Sequence, residues 1–162
     1  VRLVEGDMRD LSVLNQEDFD IVWQPPSINN IPEARKVIQE VSRVLKRGGF
    51  YHLEFGNPFT KGMDARSWDG RGYPLNRFYI DGEQVEPDYS DWEICDEEGN
   101  CKLVPGAKQC RHTLGTIINA LAGCGFVIQR FWEDVGSGKE PGTWGHFTSI
   151  APATLVRGAS SE

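Results

Sequence analysis

One stretch of the sequence restricts the fold more than any other: the alternation of strand, helix and strand over residues 19–55. Residues 19–23 (FDIVW) predict a strand, which two prolines end because proline has no N–H for a β-ladder. From Pro32 apolar residues recur at helical spacing until Gly48-Gly49 supplies a stop. Residues 50–55 (FYHLEF) then predict a second strand. Such a unit joins parallel strands by a right-handed crossover, so the sequence predicts an α/β fold.

The two ends of the chain add further strands to this sheet. Residues 1–4 (VRLV) predict a short strand, and a second helix is predicted from about Thr113. Residues 126–131 and 146–156 predict the last two strands, with Pro152 at a bulge or an edge. Because we expect a short loop between these two strands, they should form an antiparallel hairpin. The predicted sheet is therefore mostly parallel and is closed by an antiparallel pair.

Residues 56–110 differ in texture from the rest of the chain. They are rich in Gly, Pro, Asp, Trp and Tyr and show no sustained helical period. Residues 92–95 and 101–104 flank an acidic, Gly-containing turn and predict a β-hairpin. We interpret residues 1–162 as one domain and residues 56–110 as an inserted, β-rich cap subdomain. The aromatic side chains of the insertion suit either a lid over a flat substrate or a small core of its own.

Charge and composition limit the partners. The net charge of -7 argues against nucleic acid, because that binding depends on Lys and Arg displacing counterions from phosphates. No apolar run reaches about 18 residues and no signal-peptide pattern opens the chain, so we expect no membrane partner and a cytoplasmic location. A small-molecule substrate is the expected partner. The four cysteines are too few for a disulfide scaffold and predict reduced thiols.

Several segments together resemble class I S-adenosylmethionine-dependent methyltransferases of the small-molecule type. Residues 19–23 match the family's Phe-Asp-aliphatic strand, and residues 29–33 (NNIPE) match the turn after it. Residues 43–49 (RVLKRGG) are similar to the Arg-Val-Leu-Lys-Pro-Gly-Gly end of the following helix. Residues 5–11 (EGDMRDL) resemble the adenine-contacting turn, and residues 112–126 resemble the last helix and the strand after it.

The resemblance implies an incomplete Rossmann-like methyltransferase sheet. The family's strand order is 3-2-1-4-5-7-6, and the strands of this chain correspond to the third onward. The first two strands are not among them, nor is the Gly-rich turn that holds the methionine end of the cofactor. The implied activity is methylation of a small molecule from S-adenosylmethionine, impaired in an N-terminally truncated chain.

The resemblance also assigns cofactor contacts. It gives the Asp7 carboxylate to the exocyclic amine of adenine and the Met8 N–H to an adenine ring nitrogen; the alternative is that Asp7 merely ends a strand in an Asx-turn. Trp23 and Gln24 follow at the carboxyl end of the next strand, where open α/β sheets bind ligands, so we expect both to face the cofactor.

The substrate residues are predicted to lie close by. Gln24 and Pro25 resemble the Asn/Asp-Pro-Pro-Tyr motif of amine and base methyltransferases, although Gln and Ser replace its outer residues, and Asn29 belongs to the same exit loop. Methyl transfer from a sulfonium needs little covalent help, so a general base is optional. His112, close to the second helix, is the first of three histidine candidates; a structural histidine is the alternative.

Two alternatives concern metal and self-association. Cys95, Cys101, Cys110 and His112 form a conceivable zinc set, but their spacing differs from that of structural zinc sites, so no metal is expected. The rival to the enzyme is a non-catalytic half-domain that associates with a copy of itself or with a chain supplying the missing strands. A homodimer through an exposed sheet edge is the form we expect, because an open edge favours strand pairing.

Overall fold

The crossover unit forms as the sequence predicts in the computed structural model, which describes residues 1–82, 84–85, 91–151 and 154–161. Strand β1 (Phe19–Gln24) leads through a 3-10 turn (Pro26–Asn30) into helix α1 (Ala34–Val44), and strand β2 (Leu45–Gly56) follows directly. The two strands pair in parallel. The helix ends earlier than the predicted stop, because extended backbone already begins at Leu45.

The Gly48-Gly49 pair therefore shapes the start of β2 and does not end the helix. Gly48 has φ of 75°, in the left-handed region that glycine adopts without strain. A Cβ at Gly49 would lie 2.8 Å from the carbonyl oxygen of Lys46 and 3.0 Å from that of Asp20. The close approach of β1 and β2 thus excludes a side chain at Gly49.

The predicted cap carries its own small sheets. After a 3-10 turn (Thr60–Gly62), the residues of this segment that the structure describes form four short strands: β3 (Gln84–Val85), β4 (Asp91–Cys95), β5 (Cys101–Pro105) and β6 (Gln109–Cys110). β4 pairs with β5 and β3 with β6, both antiparallel. The predicted hairpin is therefore confirmed. The division into domain and cap stays a prediction.

The last part of the chain completes the main sheet. Helix α2 (Leu114–Gly123), strand β7 (Phe126–Asp134), helix α3 (Trp144–Ile150) and strand β8 (Thr154–Ser161) follow in that order. The sheet has the strand order β1-β2-β8-β7, and β8 is antiparallel to both neighbours. This order is 4-5-7-6 in the family's strand numbering, so the antiparallel closure and the implied fold are confirmed.

One predicted strand starts later than predicted, and another does not form. The segment from His146 begins as helix α3, because the Thr143 hydroxyl caps the helix by accepting from the His146 N–H at 3.3 Å; β8 starts only at Thr154, and Pro152 lies outside the described residues. Residues 1–4 form no strand and are exposed, since no neighbouring strand of the described chain offers them a ladder.

The core lies on one face of the sheet, between the strands and the helices α1 and α2. Most of its buried apolar residues come from both helices and from β2, among them Val37, Ile38, Val41, Tyr51, Leu53, Phe55, Ile117 and Leu121. On the opposite face, Ile21 and Trp23 of β1 are each 63% exposed. No helix among the described residues is long and apolar enough to cross a bilayer.

The prediction of four reduced cysteines is wrong for two of them. Cys95 and Cys101 face each other across the β4-β5 pair, with Cα atoms 4.0 Å apart, and form a disulfide. Cys110 is buried and Cys124 is partly buried, and both are free thiols. The disulfide removes Cys95 and Cys101 from the conceivable zinc set in this form of the chain.

Candidate functional site

The candidate site lies at the carboxyl edge of the parallel strands. The connections after β1, β2 and β7 all leave from this edge, because β7 and β2 are both antiparallel to β8. An open groove of about 410 Å³ lies beside it, lined by Ile31 and by residues 5–8 of the segment that resembles the adenine-contacting turn. Met8 joins this turn to the sheet, since its sulfur is 3.7 Å from the Gln24 Nε2.

Asp7 is held by a charged side chain that the sequence interpretation left without a role. The Arg9 Nη2 donates to the Asp7 Oδ2 at 2.6 Å and its Nη1 donates to the Glu33 Oε2 at 2.8 Å. The backbone N–H of Arg9 also donates to the Asp7 Oδ1 at 2.8 Å. These hydrogen bonds from Arg9 lower the pKa of Asp7 to about 2, so the carboxylate is an ionised acceptor at neutral pH.

Gln24 is buried at the end of β1, where Tyr51 of β2 holds its side chain. The Tyr51 hydroxyl donates to the Gln24 Oε1, and burial raises the pKa of Tyr51 far above its usual value, so the hydroxyl keeps its proton. The Gln24 Nε2 faces the other way, toward the Met8 sulfur and the Ser27 hydroxyl at 3.4 Å. Tyr51 thereby fixes which end of the amide faces the turn that carries Asp7.

The other residues predicted at this exit loop have surroundings different from those of Asp7 and Gln24. Successive strand residues face opposite sides of a sheet, so Trp23 faces away from the side of Gln24. The Trp23 ring stacks on the His52 imidazole, with the two ring centroids 3.6 Å apart. The Asn29 Oδ1 accepts from the Gly56 N–H at 3.0 Å and so joins the ends of β1 and β2. Pro25 is exposed. The cofactor role of Trp23 and the substrate roles of Pro25 and Asn29 stay predictions.

His112 is buried and tied to the backbone of the same exit loop. Its Nε2 lies 3.1 Å from the Ile28 carbonyl oxygen, and a carbonyl only accepts, so the proton is on Nε2. The Nδ1 lies 3.9 Å from the Asp81 Oδ1 and has no hydrogen-bond partner in the described part of the chain. This geometry suits a residue that positions the loop; the catalytic role stays a prediction.

A contact between the cap and the β7-β8 connection is a feature that sequence reasoning missed. The Tyr73 hydroxyl lies 2.8 Å from the His146 Nδ1 and accepts from the Gly142 N–H at 3.2 Å. Trp68 packs edge-on against the same imidazole at 5.0 Å, and Phe147 packs against Tyr73. No local pattern signals this contact, because its members are more than 60 residues apart in sequence. It holds the cap to the carboxyl edge.

A sheet in this order, closed by an antiparallel strand and with a groove at the carboxyl edge, defines the class I methyltransferase fold. Residues 1–53 match the family model for a methyltransferase domain. An uncharacterized methyltransferase, YbaJ of Bacillus subtilis (strain 168), is 29% identical over 138 residues, which are 84% of this chain and 51% of the relative.

Solved structures with the same fold include two bacterial proteins. An S-adenosylmethionine-dependent methyltransferase from Mesorhizobium loti has a TM-score of 0.71 at 20% identity, covering 96% of this chain and 67% of its own. A protein from Listeria monocytogenes described as a putative S-adenosylmethionine-dependent methyltransferase has a TM-score of 0.65 at 16% identity, and the match covers 97% of this chain and 67% of that protein. The resemblance to class I S-adenosylmethionine-dependent methyltransferases is thus confirmed. The chain spans about half the length of the curated relative it matches.

Proposed function

We propose that this protein transfers a methyl group from S-adenosylmethionine to a small molecule. The observation that carries the proposal is a groove lined by Asp7 and Met8 at the carboxyl edge of a sheet with class I strand order, where Met8 also contacts Gln24. Ligands of open α/β sheets bind at this edge.

The groove residues fit the adenine end of that cofactor. The ionised Asp7 accepts hydrogen bonds, and the exocyclic amine of adenine donates them. Arg9 already makes four hydrogen bonds to this carboxylate, which has about four acceptor sites. The adenine amine therefore has to replace at least one Arg9 donor on Asp7. Arg9 keeps a second carboxylate partner, Glu33, when it gives up part of this contact.

Methyl transfer requires the residues of the site to position the reactants and needs little covalent catalysis from them. When bound, S-adenosylmethionine supplies an electrophilic methyl group on a sulfonium. The chain's part is to align the acceptor with that methyl group and to exclude water from a donor that loses its charge. Gln24, fixed by Tyr51, directs an amide N–H₂ toward Met8, and the cap contacts the connection at the same edge of the sheet through Tyr73 and His146.

The substrate class and the location belong to the same proposal. The net charge of -7 disfavours a nucleic-acid acceptor, which supports a small molecule. A cytoplasmic location is proposed on composition; the Cys95–Cys101 disulfide is the observation against it, because the cytosol keeps thiols reduced.

The test is a calorimetric and saturation-transfer NMR titration of the chain with S-adenosylhomocysteine. We expect weak binding through the adenosine end, reduced at least about tenfold in Asp7→Asn, since a hydrogen bond to a charged acceptor contributes about 1.5–3 kcal/mol. Asp10→Asn, in the same exposed turn, is the matched control and should leave the signal unchanged. Equal binding by the parent and Asp7→Asn would contradict the proposed site. A sub-micromolar Kd for S-adenosylhomocysteine would contradict the proposed impairment of cofactor binding.

The outer edge of β1 favours a second candidate function, association of a half-domain. Among the described residues β1 pairs with β2 alone, and its Ile21 and Trp23 are largely exposed. An open edge of this kind pairs readily with a strand of another chain. Sedimentation equilibrium tests it: a homodimer that Ile21→Lys dissociates supports the association, and a monomer at all concentrations contradicts self-association.

A further inference from the structure

The β4-β5 hairpin brings together three metal-ligating side chains that the candidate site does not use. Cys95 and Cys101 are directly opposite each other, and Glu93 lies two residues before Cys95, on the same side of the strand. One ligand atom from each of these residues lies within 4.8 Å of the others, and all three residues are exposed. Carboxylate oxygen and thiolate sulfur are both zinc ligands.

The hairpin keeps this arrangement without the disulfide. β4 and β5 pair at five successive positions. Asp96 closes the turn: its Oδ1 accepts from the N–H groups of Glu98 at 3.0 Å and Asn100 at 2.9 Å, and its own N–H donates to the Asn100 carbonyl at 3.0 Å. Gly99, with φ of 85°, supplies the left-handed residue of the turn. The two sulfurs therefore stay opposite each other when the bond between them is broken.

We propose that the hairpin is a redox-gated binding site for a thiophilic divalent cation such as Zn²⁺, ligated by Cys95, Cys101 and Glu93. In the oxidised form the two sulfurs are bonded to each other and cannot act as thiolates. A dithiol reductant transfers two electrons and two protons to the disulfide and is itself oxidised to a disulfide. The two thiols then release their protons to solvent as the thiolates bind the cation.

The distances allow this change with small side-chain rotations. Zinc–sulfur bonds of about 2.3 Å in a tetrahedral site place two sulfurs about 3.8 Å apart. That spacing is within the 4.8 Å that already encloses all three ligand atoms. A further carboxylate at Glu97 adds negative charge at the hairpin tip, which favours a cation. Since the three ligand residues are exposed, the fourth position is open to water.

The experiment compares zinc binding before and after reduction. The chain is reduced with a phosphine, which is then removed, and Zn²⁺ is titrated against a chromophoric chelator. We expect one Zn²⁺ per reduced chain and none for the oxidised chain. Glu93→Gln should weaken binding at least about tenfold, because even partners outside the ligand shell change metal affinity by 10–100-fold. Glu98→Gln removes a charge from the same turn and is the matched control, expected to bind like the parent chain.

Two further measurements separate the site from the remaining thiols and from misfolding. Cys95→Ser/Cys101→Ser should lose zinc binding, whereas Cys124→Ser should keep it. If the double variant does not fold by circular dichroism, thiolate-to-metal charge-transfer absorption of the Co²⁺-loaded parent chain decides the matter, and its absence overturns the proposal. The proposal is also overturned by equal binding in oxidised and reduced chains, by no binding after reduction, or by unchanged affinity in Glu93→Gln.

Discussion

The buried hydrogen bond between Tyr51 and Gln24 permits a quantitative test of how the candidate site is built. Tyr51 is fully buried and Gln24 is 6% exposed, so removing either partner leaves the other unsatisfied in the core. Such a loss costs about 1–3 kcal/mol, and we take 2 as the centre of that range. Tyr51→Phe and Gln24→Met should therefore each lower the free energy of unfolding by about 2 kcal/mol, a fall in Tm of roughly 4–8 °C for a chain of this size.

The double variant distinguishes this bond from general packing damage. It leaves no unsatisfied partner, so its cost should fall to about 1 kcal/mol, the net contribution of one hydrogen bond, where additive single costs would give about 4 kcal/mol; the expected coupling is about 3 kcal/mol. Urea unfolding followed by tryptophan fluorescence measures all four chains, with exposed Gln39→Met as the control for the Gln-to-Met change. Additive costs within about 0.5 kcal/mol would refute the reasoning.

Two further perturbations test other parts of the structure. In Gly138→Ala the new Cβ would lie 2.4 Å from the backbone carbon of Gly145, so thermal melts should show a loss of about 1–3 kcal/mol or more in the free energy of unfolding. The control Gly123→Ala places its Cβ in open space on α2 and should be neutral or stabilising. Equal Tm values for the two variants would contradict the close approach at Gly138. Arg9→Met should remove the cause of the lowered Asp7 pKa. A carboxyl group whose pKa is lower in the folded state stabilises the fold at pH values above its pKa in the unfolded state, and this stabilisation is lost as the pH falls through its pKa in the folded state. The difference in Tm between the parent and Arg9→Met should therefore be full at neutral pH and shrink between pH 3.8 and about 2. A constant difference over that range would contradict the ion pair.

The elements that the sequence predicts well are those with a local cause. The apolar face of α1 repeats at helical spacing, and its Val37, Ile38 and Val41 are all buried. The hairpin at β4 and β5 follows from a turn rich in Asp, Gly and Asn between two β-forming runs. The helical start at Thr143 is local as well, but the apolar residues after it suit strand and helix equally, and the cap bond at His146 decides for helix.

The candidate site, in contrast, depends on contacts between residues far apart in the sequence. The sequence points to Asp7 and Gln24 through resemblance to a family, yet neither Arg9 nor Tyr51 is marked by any local pattern. Arg9 reaches Glu33 across 24 residues and Tyr51 reaches Gln24 across 27. The cap contact between Tyr73 and His146 spans 73 residues. Which side chain supports which site residue depends on strand register and packing, and periodicity does not contain that information.

By itself the sequence determined the α/β crossover, the apolar face of its helix, the cap hairpin and the family resemblance, because each depends on spacing within one segment. The tertiary structure decided that residues 1–4 are left without a ladder and that Gln24, and not Trp23, is buried on the core side of the sheet. Those outcomes depend on which strands are neighbours and in which register they pair. A one-residue change in register reverses the side that every side chain faces, so only the assembled sheet fixes them.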